Sequence, residues 1–342
     1  MRAGCLVVVA FGCSKPHTVG VADAALPADS APADSSPAFD ASLDAKPDAY
    51  VTYASPRCTT APTVLFDATP NTAGNIAIAS DVLYVGVFEG SAGMIVSIDP
   101  STGEQVDPPF ATPGQPWLWS DGTDVIATTG TAIWRLHPGA APSELVSGRT
   151  APFLAIDDSQ YLYWTEEGSV WREAIAGGSA TSVLSCTDPT TLDTDATNVY
   201  CAGINSSIAV GAKDGTGTPT GVDCPLIYPV ASMVRDGSEL YALDLYPMWR
   251  VWSAPTPTGP CTVFDQSTAY GRAEGLAATS DTFYVVDSFA GVWTIDRTTM
   301  AATAIYSEVG LGDNPIAWHG QLFFEAPNPN VAGQTYVMRC ID

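Results

Sequence analysis

Short apolar runs separated by polar turns recur along the chain from residue 62 onward. Each run follows a turn rich in Asp, Ser, Thr and Gly, which is the pattern of a β-strand after a tight turn. The second residues of successive runs stand 37 to 43 positions apart, the length of one β-propeller blade. The seven runs are Leu83-Tyr84-Val85-Gly86, Val125-Ile126-Ala127-Thr128, Leu162-Tyr163-Trp164-Thr165, Val199-Tyr200-Cys201-Ala202, Leu240-Tyr241-Ala242-Leu243, Phe283-Tyr284-Val285-Val286 and Leu322-Phe323-Phe324-Glu325.

Further strands are predicted on both sides of each run. The inner strands before the runs are Asn75 to Ala79, Pro116 to Trp119, Pro152 to Ile156, Thr190 to Asp193, Ala231 to Val234, Glu274 to Ala277 and Asn314 to Trp318. The third strands carry a large residue at a matching place, namely Trp134, Trp171, Ile208, Trp249 and Trp293. An outer strand follows, such as Thr181 to Leu184. The pattern predicts an all-β fold, a seven-bladed β-propeller of four-stranded antiparallel blades.

The last blade is predicted to draw on both ends of the domain. The final repeat supplies three strands, whereas Thr63-Val64-Leu65-Phe66 is an outer strand with no repeat ahead of it. The N-terminal strand therefore closes the last blade of a propeller domain spanning 58–342, and closure removes the exposed sheet edge. We expect deletion of Thr63 to Phe66 to unfold the domain cooperatively.

Composition excludes one class of partner. The chain has 342 residues and a net charge of -24, which repels phosphate backbones, so we expect no nucleic-acid binding. The same charge is typical of the surface of an exported protein. The alternative is that the acidic surface binds cations or basic partners. Charged residues make up 15% of the chain and Gly and Pro are abundant, which favours short strands over long helices.

The N-terminus carries a short apolar stretch ending in a cysteine. Arg2 precedes Leu6-Val7-Val8-Val9-Ala10-Phe11, and Gly12-Cys13-Ser14 follows. This resembles a bacterial lipoprotein signal, which implies that residues 1–12 are a signal peptide and that Cys13 is diacylated. Ser14 then implies transfer to the outer membrane. The alternatives are an ordinary cleaved signal or a chance apolar run; the stretch is too short to span a bilayer as a helix.

Residues 13–57 are rich in Ala, Asp, Pro and Ser and contain few bulky apolar residues. Such a segment cannot bury enough surface to fold, so it is predicted to be a disordered linker. As a flexible coil it reaches roughly 35 Å, more with its Pro and repelling Asp residues. An acyl anchor with a tether places the domain at the cell envelope, either outer-membrane-anchored or periplasmic or extracellular, with the lipid as its contact to the membrane.

One repeat resembles a known family of propellers. Tyr163-Trp164-Thr165-Glu166 is similar to the YWTD signature of low-density-lipoprotein-receptor relatives. Asp195 to Tyr200 and Val170 to Gly178 look like related repeats of bacterial surface lipoproteins. The fourth position of the motif is acidic in three repeats, which have Glu166, Asp244 and Asp287. In the other four repeats it is occupied by Val87, Thr129, Gly203 and Ala326. Receptor propellers of that family have six blades, so the resemblance implies a fold rather than a receptor role.

Six of the eight cysteines remain once Cys5 leaves with the signal and Cys13 is acylated, and an even number fits disulfides in an oxidising compartment. Six cysteines permit fifteen pairings. The blade pattern ranks Cys58–Cys340 first, because it would lock the closing blade. Cys186–Cys201 and Cys224–Cys261 follow as links between blades. Neither a zinc site nor a nucleophilic cysteine is expected, since no CxxC pair is present and no His lies near these positions in the repeat.

Candidate chemistry is sparse. Hydrolysis by a Ser, His and Asp trio would depend on His137 or His319, and both fall in turns or at strand ends. Asp81, Asp124, Asp158, Asp195, Asp236 and Asp281 recur before the second strands, where we expect their side chains to accept hydrogen bonds from turn N-H groups. Calcium held by carboxylates of several blades is the alternative, and otherwise no cofactor is expected. The Trp series is interpreted as packing between blades.

A binding surface is predicted where loops share one face of the ring. This rim comprises Phe88, Glu89, Glu166, Glu167, Tyr228, Tyr246, Tyr270, Arg272, Phe289 and Asn328. Exposed aromatic residues with few charges suit a protein or glycan ligand. We therefore expect a monomeric, non-catalytic binding or scaffold module. The alternative is a metal-dependent hydrolase or lyase that uses the propeller channel.

Overall fold

A computed structural model describes residues 55–150, 152–204, 207–222, 224, 229–244, 249–255, 259–266, 272–289, 291–307, 315–328 and 334–341. Strands are the regular elements of these residues. Over the same ranges, no helix has the length and apolar character needed to cross a membrane. The predicted signal peptide, Cys13 and residues 13–54 of the predicted linker lie outside the described part of the chain.

The strands are numbered in chain order, and blades 1 to 7 follow the same order. β1 (Thr63–Asp67) comes first. Blade 1 contains β2 (Thr72–Ala79), β3 (Val82–Glu89), β4 (Ala92–Ile98) and β5 (Phe110–Thr112). Blade 2 contains β6 (Trp117–Ser120), β7 (Val125–Thr129), β8 (Ala132–Leu136) and β9 (Ser143–Val146). Blade 3 contains β10 (Ala155–Asp157), β11 (Tyr161–Glu166), β12 (Ser169–Ala174) and β13 (Thr181–Ser185).

The remaining blades repeat the arrangement. Blade 4 contains β14 (Pro189–Thr194), β15 (Asn198–Gly203), β16 (Ile208–Ala212) and β17 (Thr220–Val222). Blade 5 contains β18 (Val230–Asp236), β19 (Glu239–Asp244), β20 (Arg250–Pro255) and β21 (Thr262–Gln266). Blade 6 contains β22 (Ala273–Ala278), β23 (Thr282–Asp287), β24 (Gly291–Asp296) and β25 (Ala302–Tyr306). Blade 7 contains β26 (Ile316–Trp318), β27 (Gln321–Pro327) and β28 (Thr335–Ile341), together with β1.

Each blade is an antiparallel sheet of four strands, so the predicted seven-bladed propeller is confirmed. The predicted closure is also confirmed, because β1 pairs with β28 and places Thr63 opposite Arg339 and Val64 opposite Met338. Both ends of the domain thus contribute to blade 7, and the ring has no unpaired blade edge at this point.

The hydrophobic core lies between the blades. The second strand of each blade is buried along most of its length, because neighbouring blades cover both of its faces. Among the described residues, buried apolar side chains form seven clusters, and each cluster combines residues of two adjacent blades. Tyr200 of blade 4 and Met233 of blade 5, for example, belong to the same cluster. The stability of each blade therefore depends on both neighbours.

The tryptophans of the third strands share a position in three blades, since Trp134, Trp171 and Trp293 lie opposite the third residue of the apolar run. In blade 5 this position is held by Trp252 rather than Trp249, because the connection from Asp244 to Arg250 is longer than the corresponding connections of blades 2, 3 and 6. In blade 4 it is held by Ala209 rather than Ile208. These two sequence assignments were wrong.

An aliphatic residue precedes the tryptophan in four third strands, and at each dipeptide the register to the outer strand shifts. The dipeptides are Ile133-Trp134, Val170-Trp171, Val251-Trp252 and Val292-Trp293. A bulge of this kind adds twist and bends the strand. In these four blades the dipeptide is therefore a sequence signal for the bulge, which was not predicted from the sequence.

Three disulfides link the six cysteines of the propeller, in the pairing ranked first from the sequence. Cys58 is bonded to Cys340 within blade 7. Cys186–Cys201 joins blades 3 and 4, and Cys224–Cys261 joins blades 4 and 5. The first bond ties residues 282 positions apart and covers the closure between β1 and β28.

The chain enters the propeller along blade 6. The Tyr284 hydroxyl donates a buried hydrogen bond of 2.9 Å to the Pro56 carbonyl. The Ser55 hydroxyl contacts Thr279 Oγ1 at 2.5 Å and also bonds to the Asp281 carboxylate. Since Thr279 and Asp281 form the turn between β22 and β23, residues 55 to 58 cross from blade 6 to the Cys58–Cys340 bond of blade 7.

Candidate functional site

The two faces of the ring differ in the connections that they carry. The upper face holds the connections from second to third strands and from each outer strand to the next blade. The lower face holds the connections from first to second strands and from third to outer strands. Ser55 enters beside the turn between β22 and β23, so the chain joins the propeller at the lower face.

Glu166 lies at the upper end of β11, where it is buried and bonded to its surroundings. Arg149 Nε donates to Glu166 Oε2 at 2.8 Å, Trp164 Nε1 donates to the same oxygen at 3.0 Å, and the Thr150 N-H donates to Oε1. Burial acts to raise the pKa of Glu166, but these hydrogen bonds and the Arg149 charge outweigh it and lower the pKa. The carboxylate therefore holds the connection between blades 2 and 3 in place.

Asp244 and Asp287 occupy the same place in blades 5 and 6, and both are fully buried. Asp244 Oδ1 accepts the Arg250 N-H at 2.8 Å, and Oδ2 accepts Arg250 Nε at 2.9 Å and Trp252 Nε1 at 3.0 Å. Burial is the largest effect on the pKa of Asp244 and raises it despite these bonds. Asp287 Oδ1 accepts the N-H groups of Arg272 and Phe289 at 3.1 and 2.8 Å. All three acidic residues thus fasten upper-face connections.

Blade 4 has Gly203 where these blades have an acidic residue. A Cβ atom at this position would lie 2.3 Å from the Thr187 carbonyl oxygen and 2.7 Å from that of Asp188. The connection from blade 3 therefore runs directly against the backbone, and the Ile204 N-H donates to Asp188 O at 3.2 Å. A backbone contact replaces the carboxylate in this blade, which explains one departure from the YWTD pattern.

The structure places the predicted rim residues in two groups. Glu89, Glu167 and Phe289 are exposed on the upper face, where Phe88 is half-buried and the Arg272 side chain is 57% exposed. Glu166 and Asn328 are instead buried, at 6% and 7% exposure, so they do not belong to an accessible rim. The sequence could not show this, because the connections that cover both side chains come from other parts of the chain. Tyr228, Tyr246 and Tyr270 lie outside the described residues.

Two of the turn aspartates accept backbone hydrogen bonds as predicted. Asp158 Oδ1 accepts the N-H groups of Gln160 and Tyr161 at 3.1 and 2.7 Å. Asp195 Oδ1 accepts those of Thr197 and Asn198 at 2.7 and 2.6 Å. Burial acts to raise the pKa of both carboxyls, but their hydrogen bonds outweigh it and lower the pKa. These side chains stabilise their turns.

Other turn aspartates contact side chains. Asp124 Oδ1 lies 2.8 Å from His137 Nδ1, and Asp236 Oδ2 lies 2.6 Å from Arg297. Asp81 accepts a hydrogen bond of 3.1 Å from Trp318 Nε1, and the Asp281 carboxylate bonds to Ser55. The aspartate at this turn position therefore forms contacts within its own blade in some cases and with a neighbouring blade in others.

Basic side chains connect neighbouring blades, mainly on the lower face. Lys213 of blade 4 bonds to Asp158 of blade 3 at 2.7 Å, and Arg297 of blade 6 bonds to Asp236 of blade 5. Arg135, Arg172, Arg235 and Arg339 likewise reach groups of an adjacent blade. The described part of the chain thus uses six basic side chains at blade junctions.

Among the described residues, no three His, Cys, Asp or Glu side chains lie close enough together to hold a metal ion. His137 contacts Asp124, and His319 stacks on Trp318 with ring centroids 4.8 Å apart and lies 3.6 Å from Asp81. The two histidines are in different blades and on the lower face. Calcium binding and the metal-dependent alternative stay predictions.

A cavity of about 720 Å³ occupies the centre of the ring, lined by the inner strands. Its wall is aromatic on one side, where blades 2, 3 and 7 contribute Trp117, Trp119, Phe153 and Trp318. On the other side, blades 4, 5 and 6 contribute polar groups, namely Thr190, Thr191, Asp193, Ser232, Arg235, Arg272 and Glu274. The large aromatic residues of the channel thus lie on one side and its charged residues on the other, while aliphatic residues such as Leu192, Met233 and Leu276 also line the side formed by blades 4 to 6.

Sequence analysis did not single out Trp117 and Trp119 as candidate site residues, although a signal was present. They lie two positions apart on β6, so both side chains point to the same side of that strand. Both residues line the channel, which is apparent only once the seven inner strands are assembled.

No protein-family model matches the chain, and no curated protein matches it in sequence. Solved structures resemble it in fold. YCF48 from Cyanidioschyzon merolae superposes with a TM-score of 0.62 at 10% identity, over 82% of this chain and 98% of that chain. The computationally designed Ika8 protein gives a TM-score of 0.55 at 12% identity, over 77% and 84% of the respective chains. The likeness is one of fold alone.

Proposed function

We propose that the protein is an exported, lipid-anchored β-propeller that acts as a non-catalytic binding or scaffold module at the cell envelope. The observation that carries the proposal is the structural role of the buried carboxylates at the upper ends of the second strands. Glu166, Asp244 and Asp287 are each bonded to a loop or to the arginine beside them. A catalytic acid or base needs access to a substrate proton, whereas these groups hold the upper face in a fixed shape.

Export is supported by the three disulfides, because such bonds persist in oxidising compartments. The lipid anchor at Cys13 and the location at the outer membrane rest on the N-terminal sequence. The likeness to YWTD-type lipoprotein repeats belongs to the same proposal. Replacing Cys13 with Ala tests it: the full-length wild type should partition into detergent phase and incorporate labelled palmitate, and a variant that does both equally well would contradict lipidation.

The point of entry of the chain supports the upper face as the binding surface. Ser55 is held at the lower face, where the chain enters the propeller. The upper face is the opposite one, so residues 55 to 58 do not cover it. On that face Phe289 is 56% exposed and Ile204 is 50% exposed. Apolar side chains on rigidly held loops suit a protein or glycan partner.

Affinity capture from envelope extracts tests the upper face. The full chain is immobilised as wild type, as Phe289→Ala and as the control Val106→Ala. Val106 is 46% exposed and lies in the connection from β4 to β5 on the lower face, so the control removes a similar apolar side chain from the other side. We expect one partner to be retained by wild type and control and lost from Phe289→Ala. Failure to retain any partner, or equal retention by all three proteins, would contradict the proposal.

A further inference from the structure

We propose that the central channel binds a neutral oligosaccharide between its aromatic and polar walls. This site shares Arg272 with the predicted rim but is otherwise formed by the inner strands, and it extends the proposed binding function to a defined ligand class. A channel of about 720 Å³ lies in the size range of small-molecule sites.

The aromatic wall is not a requirement of the propeller repeat. The positions equivalent to Trp117 in other blades are Asn75, Leu154, Thr191, Ser232 and Gly275. The positions equivalent to Trp119 are Ala77, Ile156, Asp193, Val234, Ala277 and Ile316. None of these residues is aromatic, so the two tryptophans of β6 are particular to this side of the channel.

The aromatic side chains are held in place while part of their surface faces the channel. Trp117 and Phe153 contact edge to face, with ring centroids 4.5 Å apart and planes at 69°. Trp119 packs against the apolar clusters on both sides of blade 3. All three are half-buried and line the cavity. The negative face of an aromatic ring attracts polarised C-H groups, which one face of a sugar ring presents.

The opposite wall offers hydrogen-bonding groups with balanced charge. Asp193 and Arg235 line the channel with their charged atoms 3.9 Å apart. Arg272 Nε lies 3.0 Å from Glu274 Oε1. Two acidic and two basic side chains leave no net charge to select an ion, so the wall favours a neutral ligand with many hydroxyl groups. A saccharide has hydroxyl groups along the edge of each ring and an apolar surface on one face of the ring.

Calorimetric titration of the full chain with maltose, cellobiose and N,N′-diacetylchitobiose tests the site, with tryptophan fluorescence followed in parallel. We expect at least one disaccharide to bind and to change the fluorescence. Trp117→Ala should weaken its affinity at least about tenfold, because the stacking surface is lost. Trp117→Phe should keep part of the affinity, and Val106→Ala, which changes an exposed lower-face residue outside the channel lining, should leave it unchanged.

Thermal melts of each variant establish that it is folded. If Trp117→Ala does not fold, Ser232→Ala on the polar wall serves as the test and should weaken binding. The absence of binding by all three sugars up to about 10 mM overturns the proposal, as does binding that the channel substitutions leave intact. Neither result affects the capture experiment on Phe289, so failure of this site and failure of the proposed function are distinguishable.

Discussion

Removing the Cys58–Cys340 disulfide tests how the ring is held closed. The bond joins residues 282 positions apart, whereas Cys186–Cys201 joins residues 15 positions apart. In the chain-entropy model, the longer loop contributes about 5 to 6 kcal/mol at 25 °C and the shorter one about 3 kcal/mol, because each bond restricts the unfolded chain. Replacing both cysteines of a pair with Ala should therefore lower the free energy of unfolding more for the closing pair than for Cys186–Cys201.

The two pairs form a matched comparison. Cys340, Cys186 and Cys201 are all at most 5% exposed and Cys58 is half-buried, so truncation loses no more packing at the closing pair than at the other pair. For a domain of this size, 1 kcal/mol corresponds to about 2 °C in Tm. We expect Cys58→Ala/Cys340→Ala to lower the Tm by about 10 °C and Cys186→Ala/Cys201→Ala by about 6 °C.

Differential scanning calorimetry of the non-reduced proteins measures both values, and urea unfolding at 25 °C checks them. Non-reducing peptide mapping of the wild type confirms beforehand that both bonds are formed. A Tm loss for the Cys186–Cys201 variant equal to or larger than that of the closing pair would refute the reasoning. In that case, β1 would be held by its pairing with β28 alone.

Three further predictions concern closure and the buried carboxylates. Deleting Thr63–Phe66 should abolish the cooperative melt, because β28 loses its partner strand; a melt like that of the wild type would contradict closure. Glu166→Gln should cost about 2 kcal/mol in urea unfolding and Glu167→Gln less than about 0.5, since only the first is buried and bonded to Arg149. Because the folded-state pKa of Asp195 is lowered, its contribution is complete above about pH 4 and is lost as the pH falls through the folded pKa. Unfolding free energies from pH 5 to 2 should fall more steeply for the wild type than for Asp195→Asn, and equal slopes would count against the hydrogen bonds at this turn.

The sequence predicted the blades well because each one repeats a local pattern. An apolar run after a polar turn marks every second strand, and neighbouring strands follow at short distances. Closure could be predicted too, because the last repeat lacks its fourth strand and an unassigned strand precedes the first blade. The unassigned strand can therefore complete the last blade. The pairing of Cys58 with Cys340 followed from that closure.

The errors lie where the length of a connection varies between blades or where a side chain depends on another part of the chain. Trp249 was aligned by counting from the apolar run, but the longer connection before β20 shifts the register and brings Trp252 to that place. Glu166 was assigned to the rim because it ends a strand, yet Arg149 and Thr150 from the preceding connection cover it. The channel wall of Trp117 and Trp119 likewise needs seven strands from the whole chain.

The basic side chains between blades have a consequence for how such a protein could evolve. Lys213 of blade 4 requires Asp158 of blade 3, and Arg297 of blade 6 requires Asp236 of blade 5. Duplicating or losing one blade would separate such partners and leave a partly buried charge unpaired, which is strongly destabilising. Adjacent blades are thus matched pairs rather than interchangeable copies. The junctions therefore constrain the number of blades, and a change in ring size would need compensating changes at the new junction that it creates.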